Sequence, residues 1–119
     1  MNAVKLKPNF VPALKYLAHI YEQAGKTERA RDLFLYLIKI NPSEAMGYFN
    51  LGNFYLRRNN TIEAGKQYKK ATEIDPEFYE VYNNIGFILK HLGLYEEAIP
   101  YYEQCAWPST RSLKQQKAT

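Results

Sequence analysis

The side chains that most often carry chemistry are sparse and scattered in this chain. Its 119 residues include two histidines, His19 and His91, one cysteine, Cys105, and three serines. A neutral imidazole can serve as base or metal ligand, but the two histidines lie far apart in the sequence, and each reads as a solvated helix-face residue. Cys105 reads as a packing thiol rather than a reactive one, since it falls in the column Leu37/Ala71/Cys105, which takes small packing residues. Gly47 and Gly52 have the separation of a phosphate-binding loop, but Asn53-Phe54 follows where that loop needs Lys-Ser/Thr. There is no H-E-x-x-H, no C-x-x-C and no G-x-S-x-G turn. The paired carboxylates Glu96-Glu97 fit the first turn of a helix, where they complement its dipole. The sequence therefore predicts no enzyme centre, no metal site and no cofactor.

The elements that position the remaining polar residues are set by an internal repeat. Pro8, Pro42 and Pro76 are spaced by 34 residues, as are Ala30, Ala64 and Ala98. The columns Leu14/Tyr48/Tyr82, Leu17/Leu51/Ile85, Ala18/Gly52/Gly86, Tyr21/Tyr55/Leu89 and Phe34/Tyr68/Tyr102 keep the same register. A period of this length is the mark of a helical array. Leu14, Leu17, Ala18 and Tyr21 form one apolar stripe at helical spacing, and Ala30, Phe34 and Leu37 form a second. Gly25, Asn59 and Gly93 separate the two halves of each unit, and each residue type tolerates the positive φ of a tight turn. Pro42 and Pro76 are placed to end the second helix. The small columns let paired helices approach, and the aromatic column fills the space between units.

Composition agrees with a globular chain of one domain. The net charge is +4, with no run of five or six basic residues, so charge alone does not argue for nucleic acid. No stretch has the length and apolarity of a membrane span or a signal peptide. A lone cysteine excludes an intrachain disulfide and favours a reducing compartment, so a cytoplasmic location is expected. The sequon Asn59-Asn60-Thr61 would matter only in a secretory setting.

The spacing Leu14-x2-Leu17-Ala18-x2-Tyr21, then Ala30-x3-Phe34, then Pro42, resembles the tetratricopeptide repeat. Tyr48, Leu51, Gly52, Tyr55, Ala64, Tyr68, Ala71 and Pro76 repeat the match, as do Tyr82, Ile85, Gly86, Ala98 and Tyr102. The resemblance implies an all-α, right-handed superhelical solenoid of antiparallel helix pairs. Three units are expected at 11–44, 45–78 and 79–108, the third truncated, after a remnant of a preceding repeat at 1–10. Residues 109–119 form a polar tail, expected to be disordered. Leu37 replaces a small residue of its column, which predicts looser packing between the first two units. Pro100 is expected to bend the last helix, and Ala106-Trp107-Pro108 to end it early. Met1–Lys7 and the tail supply no capping helix, so a fragment of a longer array is one expectation, and self-association through uncapped ends another.

In that family the first helices of the units line a concave face that binds partners. By resemblance this groove would hold Lys15, His19, Phe49, Asn50, Asn53, Arg57, Asn83, Asn84 and Phe87, with Tyr16, Met46, Glu80 and Lys90 beside them. A carboxylate clamp is not expected: Lys15 and Asn50 match it, but His19, Glu80 and Asn84 do not, and Glu80 would repel an acidic ligand. Asn50 and Asn84 do match a ladder of asparagines that holds the backbone of an extended peptide. An amide suits that task because it donates and accepts at once. The expected function is a protein–protein interaction scaffold with a protein or peptide partner, without nucleic acid or membrane. The alternative is the substrate-recognition region of a larger enzyme such as a glycosyltransferase.

Overall fold

The computed structural model describes residues 10–106, and within them all regular structure is α-helical. Six helices follow in order: α1 (Val11–Gln23), α2 (Thr27–Ile40), α3 (Ala45–Arg57), α4 (Thr61–Ile74), α5 (Tyr79–His91) and α6 (Tyr95–Ala106). They form three hairpins, α1–α2, α3–α4 and α5–α6, and each hairpin packs on the next through α2–α3 and α4–α5. This is the expected all-helical solenoid. The N-terminal remnant and the polar tail lie outside the described residues.

Local chemistry places the breaks. Gly25, Asn59 and Gly93 have φ of 81°, 63° and 79°, the left-handed conformation that closes each hairpin. Helix α2 ends at Ile40 and α4 at Ile74, so Asn41 and Asp75 separate them from Pro42 and Pro76. A residue before proline is pushed out of the helical region, which fixes these ends. Pro12 opens α1, where its missing N–H costs nothing, and Asn60 caps α4 by accepting from the Glu63 N–H. Helix α6 continues through Pro100, and its expected early end falls at the edge of the described residues.

The packing columns seal as the repeat demands. Ala30, Phe34, Ala64, Tyr68, Ala71 and Ala98 are buried. A methyl group built on Gly52 would meet the Tyr68 ring at 2.6 Å, and one on Gly86 would meet Tyr102 at 3.0 Å. The first unit carries Ala18 in that column, in the same cluster as Phe34. Leu37 is buried in that cluster too. Two apolar clusters result, one around Phe34 and Phe54 and one around Tyr68 and Val81, and Tyr55 packs against both.

Two features differ from the sequence expectation. Tyr48 and Tyr82 sit at half-buried positions rather than in the core, and the Tyr82 hydroxyl donates to the Pro76 carbonyl at 2.7 Å. The residues that seal the contacts between units include Phe54, Val81 and Ile88, which lie off the stripes read from the sequence. Each belongs to an apolar cluster shared with the preceding hairpin.

Candidate functional site

The first helices of the units meet at two junctions, where polar side chains gather. Repeat register makes these junctions directly comparable, because residues 34 apart occupy equivalent places.

At the junction of the first and second units, Glu22 lies in the last turn of α1 with only 7% of its side chain exposed. It sits one helical turn past Ala18, on the packing side, where a lone carboxylate would be costly. Arg57 of α3 answers it in a bidentate arrangement. Its Nε donates to Oε2 at 2.6 Å and its second guanidinium nitrogen to Oε1 at 2.7 Å. Arg58 approaches the same Oε2 at 3.5 Å, and its guanidinium lies 5.9 Å over the Phe54 ring. Burial works against the charge on Glu22. The hydrogen bonds and charge of Arg57, then of Arg58, outweigh it and hold the carboxyl below its ordinary value. His19 packs edge-on against Phe34, with centroids 5.5 Å apart, and Phe34 packs on Phe54 at 5.6 Å. His19, Glu22, Gln23, Arg57 and Arg58 line an open cleft of about 390 Å³.

At the junction of the second and third units the same places hold different chemistry. Tyr68 stands where Phe34 does, and its hydroxyl donates to Asn53 Oδ1. Asn84 Nδ2 donates to Asn53 Oδ1 at 2.8 Å and to the Tyr68 hydroxyl at 3.2 Å. Burial pushes the Tyr68 phenol above the usual tyrosine value, partly offset by its hydrogen bond with Asn84. Leu56 and His91 occupy the places of Glu22 and Arg57, so this junction has no such ion pair. Phe49 packs on Phe78 at 4.8 Å and on Tyr68 at 6.1 Å.

The nine residues singled out in the sequence therefore divide by what they touch. Asn53, Arg57 and Asn84 bond across the junctions, so they brace the array, and His19 packs on Phe34 within the first hairpin. Phe49 is half-buried against the second cluster. Phe87 is 39% exposed, stacks on His91 at 4.2 Å and lies 5.9 Å from the Lys90 ammonium. Lys15 and Asn50 are half-buried, and Asn83 is exposed. Asn84 differs most from the expectation of a freely presented rung, since both described bonds of its Nδ2 point into the molecule.

Sequence reasoning passed over Glu22 and Arg58, and took Tyr68 only as a packing ring. Two signals mark them: a carboxylate on an apolar stripe requires a cation, and a hydroxyl in a column that also takes phenylalanine requires a partner. Among the described residues no buried side-chain nitrogen or oxygen lacks a hydrogen bond. Cys105 donates to the Tyr79 carbonyl at 3.1 Å or the Tyr101 carbonyl at 3.2 Å. Burial raises its pKa, as expected for a packing thiol. No group of His, Cys, Asp and Glu among the described residues could hold a metal, and no helix there is long and apolar enough to cross a membrane.

A solenoid of stacked antiparallel hairpins in a 34-residue register defines the class of helical repeat proteins. Tetratricopeptide-repeat models match residues 33–66, 52–93 and 81–115, and the chain belongs to the tetratricopeptide repeat family. It is 25% identical over 103 residues to anaphase-promoting complex subunit 3 of Schizosaccharomyces pombe, covering 87% of this chain and 16% of that protein. It is 30% identical over 111 residues to the human protein O-mannosyl-transferase TMTC3, covering 85% of this chain and 12% of that protein. Among solved structures, MamA superposes with a TM-score of 0.77 at 25% identity, over 93% of this chain and 65% of that one. The chain thus spans about a sixth or less of the length of these curated relatives.

Proposed function

We propose that this chain is a non-catalytic interaction module that takes an extended peptide segment of a partner protein along the faces of α1, α3 and α5. The observation that carries this reading is the amide cluster between the second and third units. Because Asn84 Nδ2 and Asn53 Oδ1 bond to each other, Asn84 Oδ1 and Asn53 Nδ2 remain as one acceptor and one donor. That pair matches the N–H and C=O of a peptide backbone whatever its side chains are. Asn50 and Asn83 supply further amides, and Lys15, His19, Phe49, Arg57 and Phe87 flank them. Membership of a subunit of a multiprotein complex among the relatives supports a protein partner.

Nucleic acid and membrane are not part of this reading. Residues 10–106 carry eleven basic residues against twelve acidic, so the positive excess of the whole chain comes from the sequence outside them. A cytoplasmic setting fits the single thiol. The test is selection of binders from a random peptide library displayed on phage, followed by calorimetric titration of the selected peptides. A folded variant with both Asn50→Ala and Asn84→Ala is expected to bind roughly ten- to a hundredfold more weakly. Unchanged affinity in that variant removes the ladder.

A second reading is favoured by the resemblance to a mannosyl-transferase. Here the repeats are the substrate-recognition part of a larger enzyme. A longer transcript that encodes a catalytic domain in frame with these repeats decides for it, and a transcript without one decides against.

A further inference from the structure

We infer that the cleft between the first and second units takes an acidic side chain of the peptide, with Arg57 and Arg58 as its cations. The inference rests on the peptide reading above and names what one side chain of that peptide must be. Two guanidinium groups meet one carboxylate there, so one positive charge is left over. Arginine carries five N–H donors. Arg57 commits two of them to Glu22 and Arg58 one, and their side chains are 45% and 41% exposed. Both line the open cleft together with His19 and Gln23. Both are also set in advance: Glu22 grips Arg57 at two points, and Arg58 lies over the Phe54 ring. Donors that are already fixed lower the ordering cost of binding.

The cleft adjoins the amides. Arg57 follows Asn53 by one turn of α3, so the two side chains are neighbours on that helix. The charge of Arg57 is also felt at the Tyr68 hydroxyl, to which Asn53 and Asn84 are both bonded. A peptide backbone held at Asn53 and Asn84 therefore brings a neighbouring side chain to the guanidinium pair. The surplus of one charge suits the single charge of Asp or Glu. The pair occurs once among the described units, since Gln23-Ala24 and His91-Leu92 hold its places in the others, so one acidic position is expected rather than an acidic run. Glu80 is too distant to oppose it. Residue 80 lies about 16 Å along α5 from residue 91, the equivalent of Arg57, and surface charges are screened within about 8 Å at physiological salt.

Three pools of synthetic peptides of about ten residues test it, each random in uncharged residues except for one central Asp, Asn or Lys. Binding to the full chain is read by fluorescence anisotropy. The Asp pool is expected to bind about three- to tenfold more tightly than the Asn pool, and the Lys pool more weakly than either. Arg58→Gln leaves the pair of Glu22 and Arg57 in place and is expected to bring the ratio of Asp to Asn affinity to about one. Arg58→Glu is expected to reverse the preference, so that the Lys pool binds best. Circular dichroism checks that both variants keep their helical content. The variant with both Asn50→Ala and Asn84→Ala is expected to lose affinity for every pool while the ratio persists. Pools that bind the wild type without preferring Asp overturn this inference alone, as does a preference that survives in a folded Arg58→Gln chain. Pools that do not bind at all overturn it together with the peptide reading.

Discussion

The two junctions between units occupy the same places in the repeat and are built from opposite materials. Between the first and second units the floor is aromatic, with His19, Phe34 and Phe54 in contact, and an ion pair between Glu22 and Arg57 ties the far ends of α1 and α3. Between the second and third units the ion pair is replaced by Leu56 and His91, and the floor is a network of Asn53, Tyr68 and Asn84. Shape is held constant by the repeat, while chemistry changes in matched sets. Tyrosine in the aromatic column comes with two amides that satisfy its hydroxyl. Phenylalanine comes with an imidazole edge, which asks nothing of a hydroxyl. A single exchange across the junctions would leave a polar group without its partner, so each set works as a unit.

The largest expected effect tests the shared part. Phe34→Ala and Tyr68→Ala each remove a fully buried ring at the centre of a junction. Each is expected to cost about 3–5 kcal/mol in chemical denaturation, with the helical signal lost in one transition. If one loss were far smaller than the other, the two junctions would not be mechanically equivalent.

The ion pair should matter next most, and it belongs to one junction alone. Glu22→Gln keeps the shape but removes the charge, and is expected to cost about 1–3 kcal/mol, since charge-assisted bonds are stronger than neutral ones and Arg57 is only partly shielded. The pH dependence has a definite sign. The folded-state pKa of Glu22 is depressed, so its contribution is fully present above the unfolded value of 4.5 and fades as pH falls through the lower folded value. Denaturation midpoints of the wild type should therefore fall more steeply below that pH than those of the Gln variant. Parallel curves would remove Glu22 as the acid-sensitive tie.

How much of this was legible in the sequence follows from which partner each residue faces. The 34-residue register, the hairpin turns at Gly25, Asn59 and Gly93, and the small columns were readable because they obey local spacing or repeat identically. Phe54, Val81 and Ile88 were not, because the surfaces that seal them include another hairpin and lie off the intrahairpin stripe. The same blindness hid what Arg57 and Asn84 are bonded to. Their partners Glu22, Asn53 and Tyr68 come from the preceding unit, and a periodic pattern cannot report a contact that occurs at only one junction. The candidate binding face was legible as a face, but which of its side chains are committed to the fold was not.

The hydroxyl of Tyr68 sharpens the contrast at smaller scale. Tyr68→Phe imports the first junction's ring into the second. It leaves Asn53 Oδ1 with one donor instead of two and Asn84 without one acceptor, at an expected cost of about 1–2 kcal/mol. Phe34→Tyr makes the reverse exchange, inserting a hydroxyl into the aromatic floor of His19, Phe34 and Phe54. Thermal melts are expected to show a loss for both, and a gain in either would show that the sets are not matched.

The smallest expected effects separate the two asparagines that the repeat makes equivalent. Asn84 bonds to two residues of the preceding unit, whereas no hydrogen bond of the Asn50 side chain is found among the described residues. Asn84→Ala is expected to lower stability by about 0.5–1.5 kcal/mol, and Asn50→Ala by no more than about 0.5 kcal/mol. In peptide binding the order should narrow or reverse. Asn50 loses nothing internal, so whatever affinity its variant gives up comes from the ligand. Asn84→Ala also removes one of the two donors to Asn53 Oδ1 and the bond to the Tyr68 hydroxyl, so its binding loss mixes direct contact with repositioning. Measuring both variants by denaturation and by titration with one selected peptide resolves the two contributions. Equal stability losses would mean that Asn50 also braces its junction. A stability loss at Asn84 with no change in affinity would make that residue purely a strut between units, and leave the peptide to the neighbouring amides.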